Sequence, residues 1–401
     1  MTHRAPAPAE TIKVPRRRFM REAVMVTTAT CLSSGPFLAC QGASIGDAVG
    51  AINTDAMEQA LERMVGLAPL SNHGPMAAEA LIAMGRPDAV ADFVEGYKKR
   101  FTAVYPSIRL PITRENWRAA LGEGQRVADW TEFFNRELKE AAWPQALDQW
   151  VAALAPGLAA AAAHGLIRTA HAVRSLSIKE TNLRRRELAE GLGYWAAYYQ
   201  TLPSSAAPKV QTAKYAQAKK LRPAQAFRLI PLLPDAQRPR SGSIMIGLRS
   251  LNDFQPFVGV ADLIETTGKP EHLLSEVTET FATAYLKNVT RSNLIALIHA
   301  VTGATGLRSL LPYLSPGAAR KVLQYGWQMG AALYSVYGIG STNSLQENKE
   351  IRREDLIDRA VDSHEEHAIK FTEACLREYA HNPKPIYLQA AQDALARINP
   401  V

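Results

Sequence analysis

TDAMEQALERMVG, residues 54–66, sets the fold class. Met57, Leu61 and Met64 recur at spacings of four and three with Ala60 beside them, so one face of a helix is apolar while Glu62 stands on the other. Thr54 or Asp55 caps the start and Gly66 ends it. The same punctuation continues outward. GPMAAEALIAMGR (74–86) has Pro75 in its first turn and closes on Gly85, and RPDAVADFVEGYKKRF (86–101) has Pro87 placed the same way. Apolar spacing predicts further helices over 114–121, 128–154, 157–175, 183–200, 272–288, 292–304, 316–335 and 353–380. β-Branched alternation is nearly absent, so the chain reads as all-α, a single large multi-helix domain.

One segment departs from this pattern. Residues 201–243 are rich in proline and carry a run of Lys and Arg against one acidic residue, Asp235. They predict a long, basic surface excursion between two helical halves that share one core. No internal repeat is visible. With 401 residues, 47% hydrophobic and 21% charged, the composition is that of a globular protein.

The N-terminus reads as a targeting device. PRRRFMR (15–21), with Arg16 and Arg17 adjacent, resembles a twin-arginine export signal. An uncharged run from Ala23 to Ala39 follows, of signal length. It ends in FLAC, which resembles a lipobox with Cys40 as the lipidated residue, although Phe37 stands where an aliphatic residue is more usual. The expected division is 1–39 signal segment and 40–401 helical domain, with export to the periplasm or cell envelope by the twin-arginine machinery and anchoring through Cys40. Removing 1–39 takes six basic and two acidic residues, leaving 40 against 36 and a net charge of +4. That charge, with no basic helix interleaved by aromatics, argues against nucleic acid. No other segment reads as long and apolar enough to span a membrane. Apart from Cys31 and Cys40 only Cys375 remains, so the mature domain has no disulfide pair of its own. The twin-arginine route resembles one for proteins exported already folded, often with a cofactor.

Histidines then stand out. His73, in SNHGPM, is held at a helix start by Gly74 and Pro75. His164 follows five alanines, with His171 two turns later on the same face. His299 sits among aliphatic residues in NLIALIHAVTG, where an imidazole needs a partner. In SHEEHAIK (363–370), a continuous helix places Ala360, His364, Ala368, Phe371 and Cys375 on one apolar stripe, with His367 and then Lys370 to one side. Lys370 there reads as a snorkelling lysine. Four helical segments thus each offer an inward imidazole: His73, His164 or His171, His299, and His367 or His364. These read either as satisfied core histidines or as ligands of Fe, Zn, Cu or Ni built from facing helices. The spacing fits no HExxH or Glu-x-x-His pattern. His3, His272 and His381 read as peripheral. GIGSTN (338–343) and TTGKP (266–270) lack the context of a dinucleotide or phosphate loop, so neither NADPH nor flavin is supported.

Taken together, SNHGPMAAEALIAMGR, AAAHGLIRTAHAVRSL, LIHAVTGATGLRSLLPYL and HEEHAIKFTEACLREY resemble the questin oxidase-like family over roughly residues 55–380. The resemblance implies oxygen-dependent opening of anthraquinone-type rings, in some members by a mononuclear non-haem iron held by four histidines and a carboxylated lysine. By motif these fall on His73, His164, His299, His367 and Lys370, with a CO₂-derived carbamate on Lys370, and His171 drops to a supporting place. Asp362, Glu365 and Glu366 are alternative ligands, and Met76 and Trp195 are expected to line the pocket. The implied function is an exported Fe(II)-dependent oxygenase that takes O₂ and a small aromatic or quinone substrate. The rival is a non-catalytic exported lipoprotein that binds a metal or hydrophobic ligand on the same scaffold.

Overall fold

A computed structural model describes residues 56–67, 71–100, 110–204, 220–239, 241–341 and 351–398. Arg16, Arg17, Cys40 and the whole 1–39 segment lie outside the described residues, as do the cap of the first helix and most of the basic run at 205–219. All the described residues belong to one compact unit, Ile45–Val401.

The fold is all-α. Among the described residues β-structure is confined to isolated bridges, Leu158 with Gln200, Leu221 with Ile264, and a bridge residue at Leu67. The elements that build the site are α1 (56–64), α2 (His73–Ala83), α3 (Val90–Arg100), α4 (Val127–Glu140), α5 (Trp143–Leu154), α6 (His164–Ile178) and α7 (Asn182–Ala197). They continue as α8 (Pro223–Phe227), α9 (Ile244–Arg249), α10 (Pro270–Asn288), α11 (Leu294–Leu310), α12 (Pro316–Tyr337), α13 (Arg353–Asp362), α14 (Glu366–His381) and α15 (Pro385–Ile398).

Four of these close a ring. α2 packs on α6, α6 on α11, α11 on α14, and α14 back on α2. α7 backs α6, α10 and α12 back α11, α15 backs α14, and α3 covers α2. Small residues let the ring close. A Cβ on Gly165 of α6 would lie 2.5 Å from the Trp195 backbone of α7. On α11, a Cβ on Gly306 would sit 3.4 Å from that of Ala170. One large core runs through α4 to α15, and a smaller cluster seals α1, α2 and α3 through Met64, Leu81, Phe93 and Tyr97, with Ile369 of α14.

The helical pattern holds for most segments, with four corrections. The 128–154 pattern divides at Ala141–Ala142, because in a continuous helix Pro144 could not donate to Glu140 O and its ring would clash there, whereas the first turn of α5 tolerates it. Residues 114–121 form turns and a single 3₁₀ turn, Trp117–Ala120. The 157–175 helix begins only at His164, because Ala161, Ala162 and Ala163 all have positive φ. The 353–380 helix breaks at Ser363–Glu365, where His364 has φ 48°.

The proline-rich segment is also more than a surface excursion. Ala226, Ile230 and Leu233 are buried. Leu233 N donates to Ser335 O of α12, and the Ser335 hydroxyl to Pro231 O at 2.6 Å. Finally, Leu294–Tyr313 is long and apolar enough to cross a membrane, contrary to the expectation that no further segment is. It is 83% buried inside the protein, so its apolarity serves α11's place in the ring.

Candidate metal centre

Each helix of the ring brings one imidazole inward. His73 opens α2, after Asn72 in the left-handed region (φ 45°), whose side-chain amide donates to Met64 O. Tyr97 and Met64 press so closely on Gly74 that a Cβ there would collide with both. His164 opens α6 directly after the left-handed alanine turn. That turn brings the Ala161 carbonyl onto His164 Nδ1. His299 lies in the second turn of α11 with its Nδ1 2.6 Å from Ile295 O. His367 lies in the first turn of α14 with its Nδ1 2.7 Å from Glu365 Oε1.

These anchors fix the protons. A backbone carbonyl only accepts, so Nδ1 of His164 and of His299 must be the protonated nitrogen, and a neutral imidazole then has a bare Nε2. Those two Nε2 atoms lie 3.1 Å apart, and His73 Nε2 lies 2.8 Å from that of His164. His367 joins them, its ring 4.8 Å from that of His73 and 5.6 Å from that of His299. Facing lone pairs repel unless a cation lies between them. A proton is disfavoured there: burial, reinforced by the His367 charge, lowers His299 to about 3. Burial likewise holds His73 and His164 well below the usual histidine range, with the Lys370 charge pushing both the same way. A metal ion fits instead. Two imidazole nitrogens about 2.1 Å from one ion and at right angles are about 3.0 Å apart. The group His73, His164 and His367 could hold such an ion, as could Glu365, Glu366 and His367.

Lys370 is buried on α14 beside this group. Burial lowers its amine to about 8, while the charges of Glu366 and Glu365 act the other way. The chain break at 363–365 is what supplies those carboxylates. Ser363 Oγ donates to Ala360 O and accepts from Glu365 N, which ends α13. Glu365 then caps α14, one oxygen accepting from Ala368 N at 2.8 Å and the other facing His367. Burial raises Glu365, but the His367 hydrogen bond and charge outweigh it and leave it lowered.

The remaining candidates separate. His364, the alternative centre of the stripe, is exposed in the break, because the helix that would have turned it inward does not continue through it. His171 is buried with its Nδ1 2.6 Å from Glu79, in an ion-pair layer with Arg174 and Glu373 beneath the histidines. Asp362 is exposed at the end of α13. Glu366 lies beside His73 with Arg100 on its other oxygen. Met76 and Trp195 are fully buried core residues, the indole donating to Gly157 O at 3.1 Å. His272 and His381 are exposed, as expected. A cleft of about 800 Å³ between α8, α10 and α12 has Phe227, Lys287 and Tyr334 in its wall and none of the histidines. Arg100, Tyr97 and the alanine turn were not among the residues that the sequence marked. Only the SHEEH dipeptide of acids hinted at the carboxylate supports.

The sequence model described as questin oxidase-like matches residues 70–375, which include all five residues of the candidate set. No curated protein matches the chain. The chain belongs to the questin oxidase-like family. That membership implies an oxidoreductase of the oxygenase type.

Proposed function

We propose that this chain is a metal-dependent oxygenase that uses O₂ to oxidise an aromatic or quinone-type substrate, with Fe(II) held by His73, His164, His299, His367 and a carbamylated Lys370. The observation that carries this reading is the convergence of His164 and His299, two bare Nε2 atoms 3.1 Å apart with both Nδ1 atoms committed to carbonyls. Neutral imidazoles suit a first-row transition metal, and a redox reaction with O₂ favours iron over zinc.

Bound iron would supply electron transfer to O₂ and a place for it to bind. The chain's own residues set the conditions. Burial keeps His73, His164 and His299 unprotonated, and three backbone or carboxylate contacts orient His164, His299 and His367. Lys370, lowered to about 8, has a far larger neutral fraction at pH 7 than a free lysine. Its neutral amine nitrogen would add to the carbon of CO₂: the N–C bond forms as one C=O π bond opens onto oxygen, and the nitrogen's proton passes to water, leaving an anionic carbamate. That anion would offset part of the iron's charge. His164 and His367 keep some accessible surface, which favours a centre that can exchange a ligand over a closed structural one. The reading also holds that the protein is exported through Arg16 and Arg17 and anchored through Cys40.

Protein loaded with Fe(II) under anaerobic conditions and exposed to a panel of hydroquinones and hydroxyanthraquinones should consume O₂ and place label from ¹⁸O₂ in a product. Tightly held zinc with no O₂ consumption across the panel would instead identify the non-catalytic lipoprotein.

A further inference from the structure

The four imidazoles are not equally supported. His164, His299 and His367 each have Nδ1 against an acceptor, at the Ala161 carbonyl, the Ile295 carbonyl and the Glu365 carboxylate. His73 has none: its Nδ1 is buried and makes no hydrogen bond, although its Nε2 lies 2.8 Å from His164 Nε2. A neutral imidazole that gives its Nε2 lone pair to a metal must carry its proton on Nδ1, and a buried donor without an acceptor is costly. The nearest anion is Glu366, its Oε1 3.8 Å from His73 Nδ1 and its side chain only 10% exposed. Its second oxygen accepts from Arg100 Nη2 at 2.9 Å.

We infer that Glu366, held in place by Arg100, is the residue that positions His73, closing onto Nδ1–H when metal binds. The inference rests on the reading of the histidines as a metal site. It makes the last turn of α3 part of that site. Arg100 ends α3 and grips the carboxylate. Tyr97, one turn earlier, takes hydrogen bonds from the backbone N–H groups of Gly74 and His73, and the Arg100 guanidinium lies 5.6 Å from its ring centroid. α14 thereby supplies two consecutive carboxylates with divided work. Glu365 aims His367 on its own helix, and Glu366 reaches across to aim His73 on α2. Hydrogen-bonded partners of this kind raise ligand basicity and fix ring orientation, and their loss weakens metal binding about 10–100-fold.

The test is Co(II) binding to the full chain, measured by chelator competition and by the visible absorption of the bound ion. Glu366→Gln should bind Co(II) about 10–100-fold more weakly than wild type, with an altered spectrum and an unchanged melting temperature for the metal-free protein. Arg100→Leu, a change at a half-exposed side chain, should weaken binding in the same direction by a smaller factor and shift the spectrum the same way. A structure of the Co(II)-loaded protein should show the 3.8 Å separation shortened to about 2.8 Å. Wild-type affinity and an unaltered spectrum in both variants would overturn the role of Glu366 while leaving the metal site standing. A wild type that binds neither Co(II) nor Fe(II) would overturn the metal reading, and this inference with it.

Discussion

His299 is held at one nitrogen, and its neighbours on α11 are aliphatic, so its substitution would remove a proposed ligand without touching a charged network. Lys370→Met removes the only amine in the set. In the wild type, metal uptake should rise with bicarbonate and between pH 7 and 9, as an amine near 8 loses its proton, and the variant should show neither dependence. Equal uptake by both would rule out the carbamate. His364 provides the converse control. It is exposed at φ 48°, so His364→Gly should leave metal content unchanged and be neutral to stabilising by up to about 1 kcal/mol in a denaturant titration. A helix start, an alanine run, aliphatic neighbours and periodicity brought His73, His164, His299 and His367 forward in turn, and the structure gathers their rings. Periodicity could not choose between His364 and His367, because the choice depends on a helix break made by Ser363 and Glu365 side chains bonding to nearby backbone. Arg100 was illegible for another reason: its partner lies 266 residues away in sequence.

At the scale of elements, the helix starts do the placing. α2, α6 and α14 each present a histidine in the first turn, two of them behind a left-handed residue at the Ncap. The run Ala161–Ala163 falls inside the 157–175 span that apolar spacing predicts as helix, and alanine is itself the best helix former. Tertiary context overrides that propensity, since the left-handed turn is what sets the Ala161 carbonyl on the His164 ring. The crossing of α6 and α7 leaves no room for a side chain at Gly165, where the facing atom is backbone and cannot swing away. Gly165→Ala should therefore cost about 1–3 kcal/mol and, being next to His164, lower metal content in proportion. Thermal melts and metal analysis on the same preparation check both. Full metal content with unaltered stability would show that the crossing is looser than the geometry requires.

Over the whole molecule, four helices spend their inward polar groups on one point, and the metal-free protein should carry the cost. His299 titrates near 3 when folded and near 6.5 when unfolded. Between those values the unfolded chain holds a proton that the folded one does not, so stability falls as pH drops through that window. This one group accounts for about 1.4 kcal/mol per pH unit, and His73 and His164 act in the same direction. Melts of metal-free protein from pH 7 to 4 should show this loss. Bound metal at 100 times its dissociation constant should add about 2.7 kcal/mol at pH 7. A flat profile would mean that the imidazoles are not buried neutral. The all-α architecture was legible throughout, since 3.6-residue periodicity survives in nearly every segment. The ring of α2, α6, α11 and α14 was not, because it is fixed by contacts between helices far apart in the chain. The central claim, that this ring holds a redox metal, is tested most directly by mass-spectrometric metal analysis of anaerobically purified wild type beside His299→Ala. The account predicts near-stoichiometric iron in the wild type and its loss in the variant. Absence of metal from both would contradict it and return the histidines to the core.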